Sequence, residues 1–334
     1  MPARPTTGGP TDSAVGQGGD RRANRATVTR PLVGIGFKIA STLGFTAMAT
    51  LIKLVGPRFP IGEVVFCRAV FALLPLSAWI LSTSGFRIVF RTRTISGHLK
   101  RSVAGACAIY LTFGALLFLP VADATAIGYA MPLIATVLAV VVLGERVQLY
   151  RWVAVIGGFA GVLLILANYL GGGAGHSAWI GAVMALAGAF ATALAFTQIR
   201  VLARGEATAT IVTYFTLFSA LAGLVTLPIG VIFAQAAWVL PNARDAIGLI
   251  AIGVCGGFAQ VMITQSYHYS DASLVAPFEY TSMLWALAAS WLVFGVWPDP
   301  TVLAGAVIVI AAGLSVIYRE HRARRLPANA VEVD

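Results

Sequence analysis

The stretch "DASLVAPFEYTSMLWALAASWLVFG", residues Asp271 to Gly295, carries one charge, Glu279, inside an otherwise apolar run. About 20 apolar residues in a helix cross the hydrocarbon core of a bilayer, so this stretch is long enough to span a membrane. A carboxylate at such depth is expensive and normally faces a partner or a polar cavity. The segment therefore predicts a membrane-spanning helix with a functional or paired glutamate near its start.

The rest of the chain repeats this pattern. Only 11% of its 334 residues are charged and 58% are hydrophobic, whereas a soluble domain has about 25% charged residues. We therefore predict an all-α polytopic membrane protein, embedded in a lipid bilayer. Ten transmembrane helices are expected near residues 32–55, 62–83, 102–120, 124–143, 151–169, 177–199, 208–233, 246–268, 272–295 and 300–318.

The basic residues predict which way the chain crosses the membrane. Cytoplasmic loops of membrane proteins carry an excess of Lys and Arg. With the N-terminus inside, 18 of the 23 Lys and Arg residues fall in cytoplasmic segments and only Arg58 and Arg244 fall outside. Both termini are therefore expected in the cytoplasm. The net charge of +10 follows the same short loops and tails, so nucleic acid is not an expected partner.

The chain also contains a weak internal repeat. "DATAIGYAMP" at Asp123 parallels "DASLVAPFEY" at Asp271, and Gly161 in span 5 parallels Gly313 in span 10. Two halves of five spans each are implied, and because five is odd the second half enters from the opposite side. Inverted repeats are typical of secondary transporters, which bind substrate near the midplane between the halves.

Several motifs carry a family resemblance, among them "CRAVFALLPL" in span 2, "ADATAIGYAMPLIATVLAVVVLGERV" across span 4 and "ASLVAPFEYTSMLWALAASWLVFGVWPDP" in the second half. On these residues the chain resembles the EamA-type transporters of the drug/metabolite transporter superfamily. The resemblance implies ten helices in an inverted 5+5 repeat and transport of small organic solutes. The expected organisation is a disordered cytoplasmic tail (1–31), a first EamA repeat (32–170), a second EamA repeat (177–318) and a cytoplasmic tail (319–334).

The function that these features predict is secondary active transport of a small organic metabolite by alternating access, across the plasma membrane (the inner membrane of a bacterium). The solute classes implied are vitamins and nucleoside-like, amino-acid-like or drug-like compounds. No catalytic motif or ATP-binding loop is found in the sequence, so neither an enzyme nor a cofactor is expected. A non-transporting receptor or scaffold is the alternative, and a membrane-embedded enzyme is a weaker one.

Arg68 and Glu279 are the charged residues predicted to bind substrate. At 1.5 Å per residue they lie about 10 Å and 12 Å into the membrane from opposite sides, so they could grip a polar metabolite from two ends. Structural pairing remains open for both: Arg68 with a carbonyl or Glu63, and Glu279 with Lys38 or tyrosines. A coupling proton on Glu279 also remains open. Lys38 is expected to extend its ammonium to the interface.

Uncharged polar residues complete the predicted substrate site. They are Tyr280 and Trp285, which follow Glu279, Tyr129 at the related position in span 4, and Gln260 in span 8. Small-residue spacing at "GGFAG" (Gly157, Gly161) and "GVCGG" (Gly253, Gly257) predicts close helix packing and leaves a homodimer open. The histidines and the three cysteines have no metal-ligand spacing, so no metal is expected.

Overall fold

A computed structural model describes residues 31–83, 85, 89–90, 92, 94–143, 149–170, 176–202, 206–228, 237–270 and 275–325. Within these ranges the chain is α-helical and contains no strand, which confirms the predicted all-α class. The helices are α1 Pro31–Val55, α2 Ile61–Thr83, α3 Ile95–Phe118, α4 Val121–Gly128, α5 Ala130–Leu143, α6 Leu149–Leu170, α7 His176–Leu202, α8 Thr208–Leu224, α9 Ala243–Tyr269, α10 Thr281–Phe294 and α11 Pro300–Arg325. Two 3₁₀ segments, Gly56–Arg58 and Ala276–Tyr280, follow α1 and precede α10.

The helices have the length and composition of membrane spans. In the described part of the chain, seven are long and apolar enough to cross a membrane, and two shorter apolar helices, Trp152–Ala167 and Pro300–Ser315, add to them. Large apolar side chains such as Leu81, Ile156 and Leu292 are exposed, as expected of a surface that faces lipid. The protein is therefore a multi-pass membrane protein, while the count of ten crossings stays a prediction.

Two helices extend well beyond their predicted spans, and α8 ends at Leu224, before the predicted end of span 7 at residue 233. The predicted N-terminal tail lies outside the described residues except for Pro31, the first residue of α1. Helix α3 begins at Ile95, seven residues before the predicted start of span 3, so Arg101 lies inside the helix. Helix α11 continues past residue 318 to Arg325. Both extensions contain charged residues, which hydropathy excludes from a membrane span. These residues nevertheless continue the hydrogen bonding of the helix.

The helix contacts follow a pattern with approximate two-fold relations. Helix α1 packs along α9, and α3 packs along α7, while α2 packs on α8, α6 on α11 and α4 on α10. If α1 and α7 are related, and α3 and α9 likewise, the first two contacts are copies of each other. The core consequently forms between helices from different halves, with one apolar cluster around Ile127 and Ile165 and another around Ile52 and Val65.

Close helix packing occurs at three of the four glycines that the sequence singled out. A Cβ at Gly161 would lie 2.8 Å from the Gly305 carbonyl oxygen of α11, and one at Gly257 would lie 2.7 Å from the Ala72 oxygen of α2. Gly253 is similarly close to Phe71. Gly157 has nothing within 4 Å. The small-residue pattern thus mainly serves packing within the chain, and the homodimer stays a prediction.

Polar contacts tie down the end of the bundle that was predicted to face outside. Lys53 Nζ donates to the Leu116 and Leu119 carbonyl oxygens at 2.9 and 2.5 Å, so its ammonium caps the end of α3. Glu63 Oε2 accepts from the Val239 amide at 2.9 Å. These contacts satisfy charges near the helix ends, where dipoles and free carbonyls favour them.

Candidate functional site

Two interrupted helices meet inside the bundle. The predicted fourth span is divided at Tyr129 into α4 and α5, and the predicted ninth span contains a 3₁₀ segment, Ala276–Tyr280, before α10. Pro132 has no amide hydrogen to donate to the carbonyl of Gly128, which favours the first interruption. Interrupted backbone at membrane depth is tolerated where protein or a polar cavity surrounds it. Both interruptions therefore mark a candidate site.

Tyrosines join the two interruptions. The rings of Tyr129 and Tyr280 lie 5.2 Å apart, edge to face at 68°. The Tyr129 hydroxyl lies 2.7 Å from Ser282 Oγ and donates to the Tyr280 carbonyl oxygen at 3.4 Å. Tyr129 is buried, and Tyr280 is partly buried. The hydroxyl thus satisfies polar groups that the second interruption leaves within the bundle.

An ion pair lies beside these tyrosines. Lys38 Nζ of α1 donates to Glu279 Oε2 in the 3₁₀ segment. The Lys38 side chain is 1% exposed and that of Glu279 is 33% exposed. The expectation that Lys38 extends to the interface was therefore wrong, because a carboxylate within the bundle is a closer partner than water. The alternative in which Glu279 pairs with Lys38 is the arrangement in the structure.

Hydroxyl contacts extend the ion pair along α1. Thr42, one turn beyond Lys38, places its Oγ1 2.9 Å from Thr281 Oγ1, and Trp285 Nε1 donates to Thr42 Oγ1 at 3.3 Å. We call this set the central polar cluster; its members are Lys38, Thr42, Tyr129, Glu279, Tyr280, Thr281, Ser282 and Trp285. It links α1 and the α4–α5 break of the first half to the 3₁₀ segment and α10 of the second.

The structure brings together four of the six predicted site residues: Tyr129, Glu279, Tyr280 and Trp285. Arg68 lies elsewhere, with its Cζ 5.8 Å from the centroid of the Phe215 ring. Gln260 is partly buried in α9 and has no part in the hydrogen bonds of the central polar cluster that the described residues form. Arg68 and Glu279 do not pair directly. Substrate binding by the six residues stays a prediction.

Sequence reasoning missed Thr42 and Ser282, and it treated Lys38 as peripheral. The spacing of Lys38 and Thr42 is one signal that could have found them. Residues four apart share one face of a helix, and a Lys and a Thr on one face of a membrane span indicate that the face meets polar groups.

Neither a metal site nor the apolar groove found in the described residues coincides with this cluster. Within the described ranges, no group of three or more His, Cys, Asp or Glu side chains could hold a metal ion. A groove of about 480 Å³ lies between α3 and α8, and its lining is apolar. Its composition fits a lipid-facing surface, so we assign the candidate site to the central polar cluster on its chemistry.

Comparison with known proteins finds one family that matches the chain in two segments. The EamA-like transporter family matches residues 32–167 and again residues 179–318. A riboflavin transporter of Vibrio cholerae is 28% identical over 88% of this chain and 96% of its own length. An S-adenosylmethionine uptake transporter of Rickettsia bellii is 26% identical over 87% and 95%.

A third relative and a solved structure extend the comparison. A pseudopaline exporter of Pseudomonas aeruginosa is 26% identical over 85% of this chain and 95% of its own length. One protein of known crystal structure superposes with a TM-score of 0.58 and 16% identity, covering 85% of this chain and 98% of that one. At that identity the structural likeness concerns the fold alone.

Proposed function

Because this chain belongs to the EamA-like transporter family, we propose that it is a secondary active transporter that moves a small organic metabolite across the bacterial inner membrane. The two matching segments fall on residues 32–167 and 179–318. We propose ten spans as an inverted 5+5 repeat, with repeats at 32–170 and 177–318 and both termini in the cytoplasm. The reciprocal contacts of α1 with α9 and of α3 with α7 support this arrangement.

The observation that carries the proposal is the Lys38–Glu279 ion pair inside the bundle. Its two residues come from different halves of the chain, and Glu279 lies in the 3₁₀ segment that interrupts its helix. A solute with its own charged or hydrogen-bonding groups can replace either partner. Since Glu279 is one-third exposed, its carboxylate is the accessible member of the pair and the first contact for a cationic or N–H donor group.

The polar contacts at this site support a proposal of alternating access. Within the central polar cluster, the halves are joined by one ion pair, a tyrosine pair and a few hydroxyl groups. Such contacts can exchange partners with a solute without exposing a large apolar surface. We propose that solute binding replaces the contact between Lys38 and Glu279 and lets the halves move about the central polar cluster.

The solutes of the relatives guide the first choice of solutes to test but do not decide the direction of transport. They include two uptake or transport proteins for riboflavin and S-adenosylmethionine, and one exporter. S-Adenosylmethionine carries cationic groups that suit Glu279, and the flavin ring suits stacking on Tyr280 or Trp285. We therefore propose testing these two solutes before a wider metabolite panel.

Counterflow in proteoliposomes tests the proposal. Vesicles loaded with unlabelled solute should accumulate labelled S-adenosylmethionine, riboflavin or a panel solute faster than protein-free vesicles. Glu279→Gln should reduce this rate at least about tenfold, because a lost charge-assisted contact changes affinity by about 1.5–3 kcal/mol. Asp299→Asn is the matched control: Asp299 caps the start of α11 through Thr301, and asparagine caps equally well.

Counterflow separates the competing functions because the preloaded unlabelled solute drives it and no ion gradient has to be imposed. Solute binding without counterflow in the wild-type protein would favour a receptor or scaffold. If the Glu279→Gln variant shows counterflow at the wild-type rate, the central polar cluster does not lie on the substrate pathway.

A further inference from the structure

Two buried arginines converge on one aromatic ring away from the central polar cluster. Arg68 of α2 is 4% exposed and Arg101 of α3 is 6% exposed. Their Cζ atoms lie 5.8 and 4.0 Å from the centroid of Phe215 in α8. Three helices thus bring two positive charges to a single place inside the bundle.

These charges have no counter-charge in the part of the chain that the structure describes. The Nε and Nη1 atoms of both arginines are buried without a hydrogen-bond partner. Neither arginine takes part in any of the ion pairs formed there, and the two guanidinium groups repel each other. A cation–π contact stabilises a buried cation only weakly and does not offset the cost of removing each ion from water.

We propose that Arg68 and Arg101 together bind an oxyanion, a phosphate or carboxylate group, beside Phe215. The guanidinium group presents a planar fork of donors that matches both kinds of oxyanion. Two charges are best neutralised by a dianion, and a phosphate monoester carries about −1.5 to −2 at neutral pH. Bound there, the oxyanion supplies acceptors for the four buried nitrogen atoms that otherwise have none.

A third unpartnered polar side chain lies on the helix that carries Phe215. The hydroxyl of Ser219 is fully buried and has no hydrogen-bond partner in the described residues. Ser219 follows Phe215 by four residues, so it lies on the same face of α8, one turn away. Its donor would complement the two guanidinium groups around a bound oxyanion.

The oxyanion site is separated from the central polar cluster along α1. A Cβ at Gly256 would lie 2.6 Å from Met48 Sδ and 3.3 Å from Arg68 Nε, which places Arg68 at the level of Met48. Met48 follows Lys38 by ten residues, or about 15 Å of helix. That the oxyanion belongs to the transported solute rests on the proposed function; the binding site itself does not.

Thermal unfolding of the purified full-length protein in detergent tests the site. The probe is sodium phosphate, titrated against sodium chloride at equal ionic strength, with sodium acetate and sodium succinate as carboxylate probes. Phosphate should raise the Tm of the wild-type protein beyond the effect of chloride. Arg68→Gln and Arg101→Gln should each weaken the apparent affinity by about 30-fold or more, as expected when one buried charged partner is truncated.

Matched variants keep the test decisive. Arg58→Gln removes a guanidinium that already pairs with Asp245 and is 58% exposed, so the phosphate shift should persist. If a glutamine variant does not fold, Arg101→Lys keeps the charge without the planar fork and should bind phosphate about tenfold more weakly. A wild-type Tm shift with phosphate no larger than that with chloride would overturn the proposal, and so would a phosphate affinity in Arg101→Gln or Arg101→Lys equal to that of the wild-type protein.

The test of the oxyanion site by thermal unfolding does not depend on whether counterflow is observed. Loss of the phosphate shift in the arginine variants establishes the site even if no solute is transported. Counterflow by a wild-type protein that shows no phosphate shift would leave the proposed function standing and remove the oxyanion site.

Discussion

Glu279→Gln is expected to lower the free energy of unfolding by about 3–5 kcal/mol, the range for removing one member of a buried ion pair. Lys38, the remaining charge, is 1% exposed, so water cannot replace the lost carboxylate. Unfolding by SDS titration of the purified protein, followed by tryptophan fluorescence, measures this change.

Lys38→Met should be less harmful than Glu279→Gln. The carboxylate left behind is one-third exposed and remains partly hydrated. Because two uncharged residues leave no isolated ion, the double variant should be more stable than Glu279→Gln alone. Additive losses across the four proteins of this double-mutant cycle would show that the two charges do not interact.

Gly161→Leu is expected to destabilise the protein by about 1–3 kcal/mol, the range for overpacking a close contact. A Cβ at Gly161 would lie 2.8 Å from a backbone oxygen of Gly305 and 2.9 Å from Val309. Backbone cannot move aside as a flexible side chain can, so α6 and α11 must separate. The same SDS titration detects the loss.

Gly157→Leu is the matched control, one turn earlier on α6. Nothing lies within 4 Å of a Cβ at Gly157, and leucine is favoured over glycine in a helix by nearly 1 kcal/mol. Gly157→Leu should therefore unfold at or above the wild-type SDS concentration. Equal destabilisation by the two substitutions would show that helix contact at Gly161 is not the cause.

The predictable part of the fold is the part that hydropathy controls. Most helix bounds follow the ends of apolar runs, since a bilayer sets the length of each span. The start of α3 was missed because His98, Lys100 and Arg101 read as a loop, yet all three continue the helix. The interruption at Tyr129 was missed as well, because Pro132 within an apolar run gives little indication of whether a helix bends or breaks.

The predictable part of the site is the set of residues that are unusual in a membrane. Glu279, with Tyr280 and Trp285 beside it, was found because its charge is rare in such a segment, and Tyr129 was found through the repeat. Lys38, 241 residues away from Glu279, was one of the partners left open for it, whereas Thr42 and Ser282 were not found. Arg101 was assigned to a loop, so its approach to Arg68 at Phe215 had no signal in the chain order.

Composition and apolar run length were thus enough to establish a helical membrane protein, and its motifs were enough to indicate its family. Composition and motifs are properties of residues that are neighbours in the chain. In lipid, the backbone groups of such a segment must bond to each other, which a helix achieves. The choice of partner for each buried charge depends on which helices pack together. Contact of α1 with the 3₁₀ segment and α10 pairs Glu279 with Lys38, and packing of α2 and α3 on α8 places Arg68 beside Arg101. A desolvated charge interacts with whatever the folded bundle brings within a few ångströms.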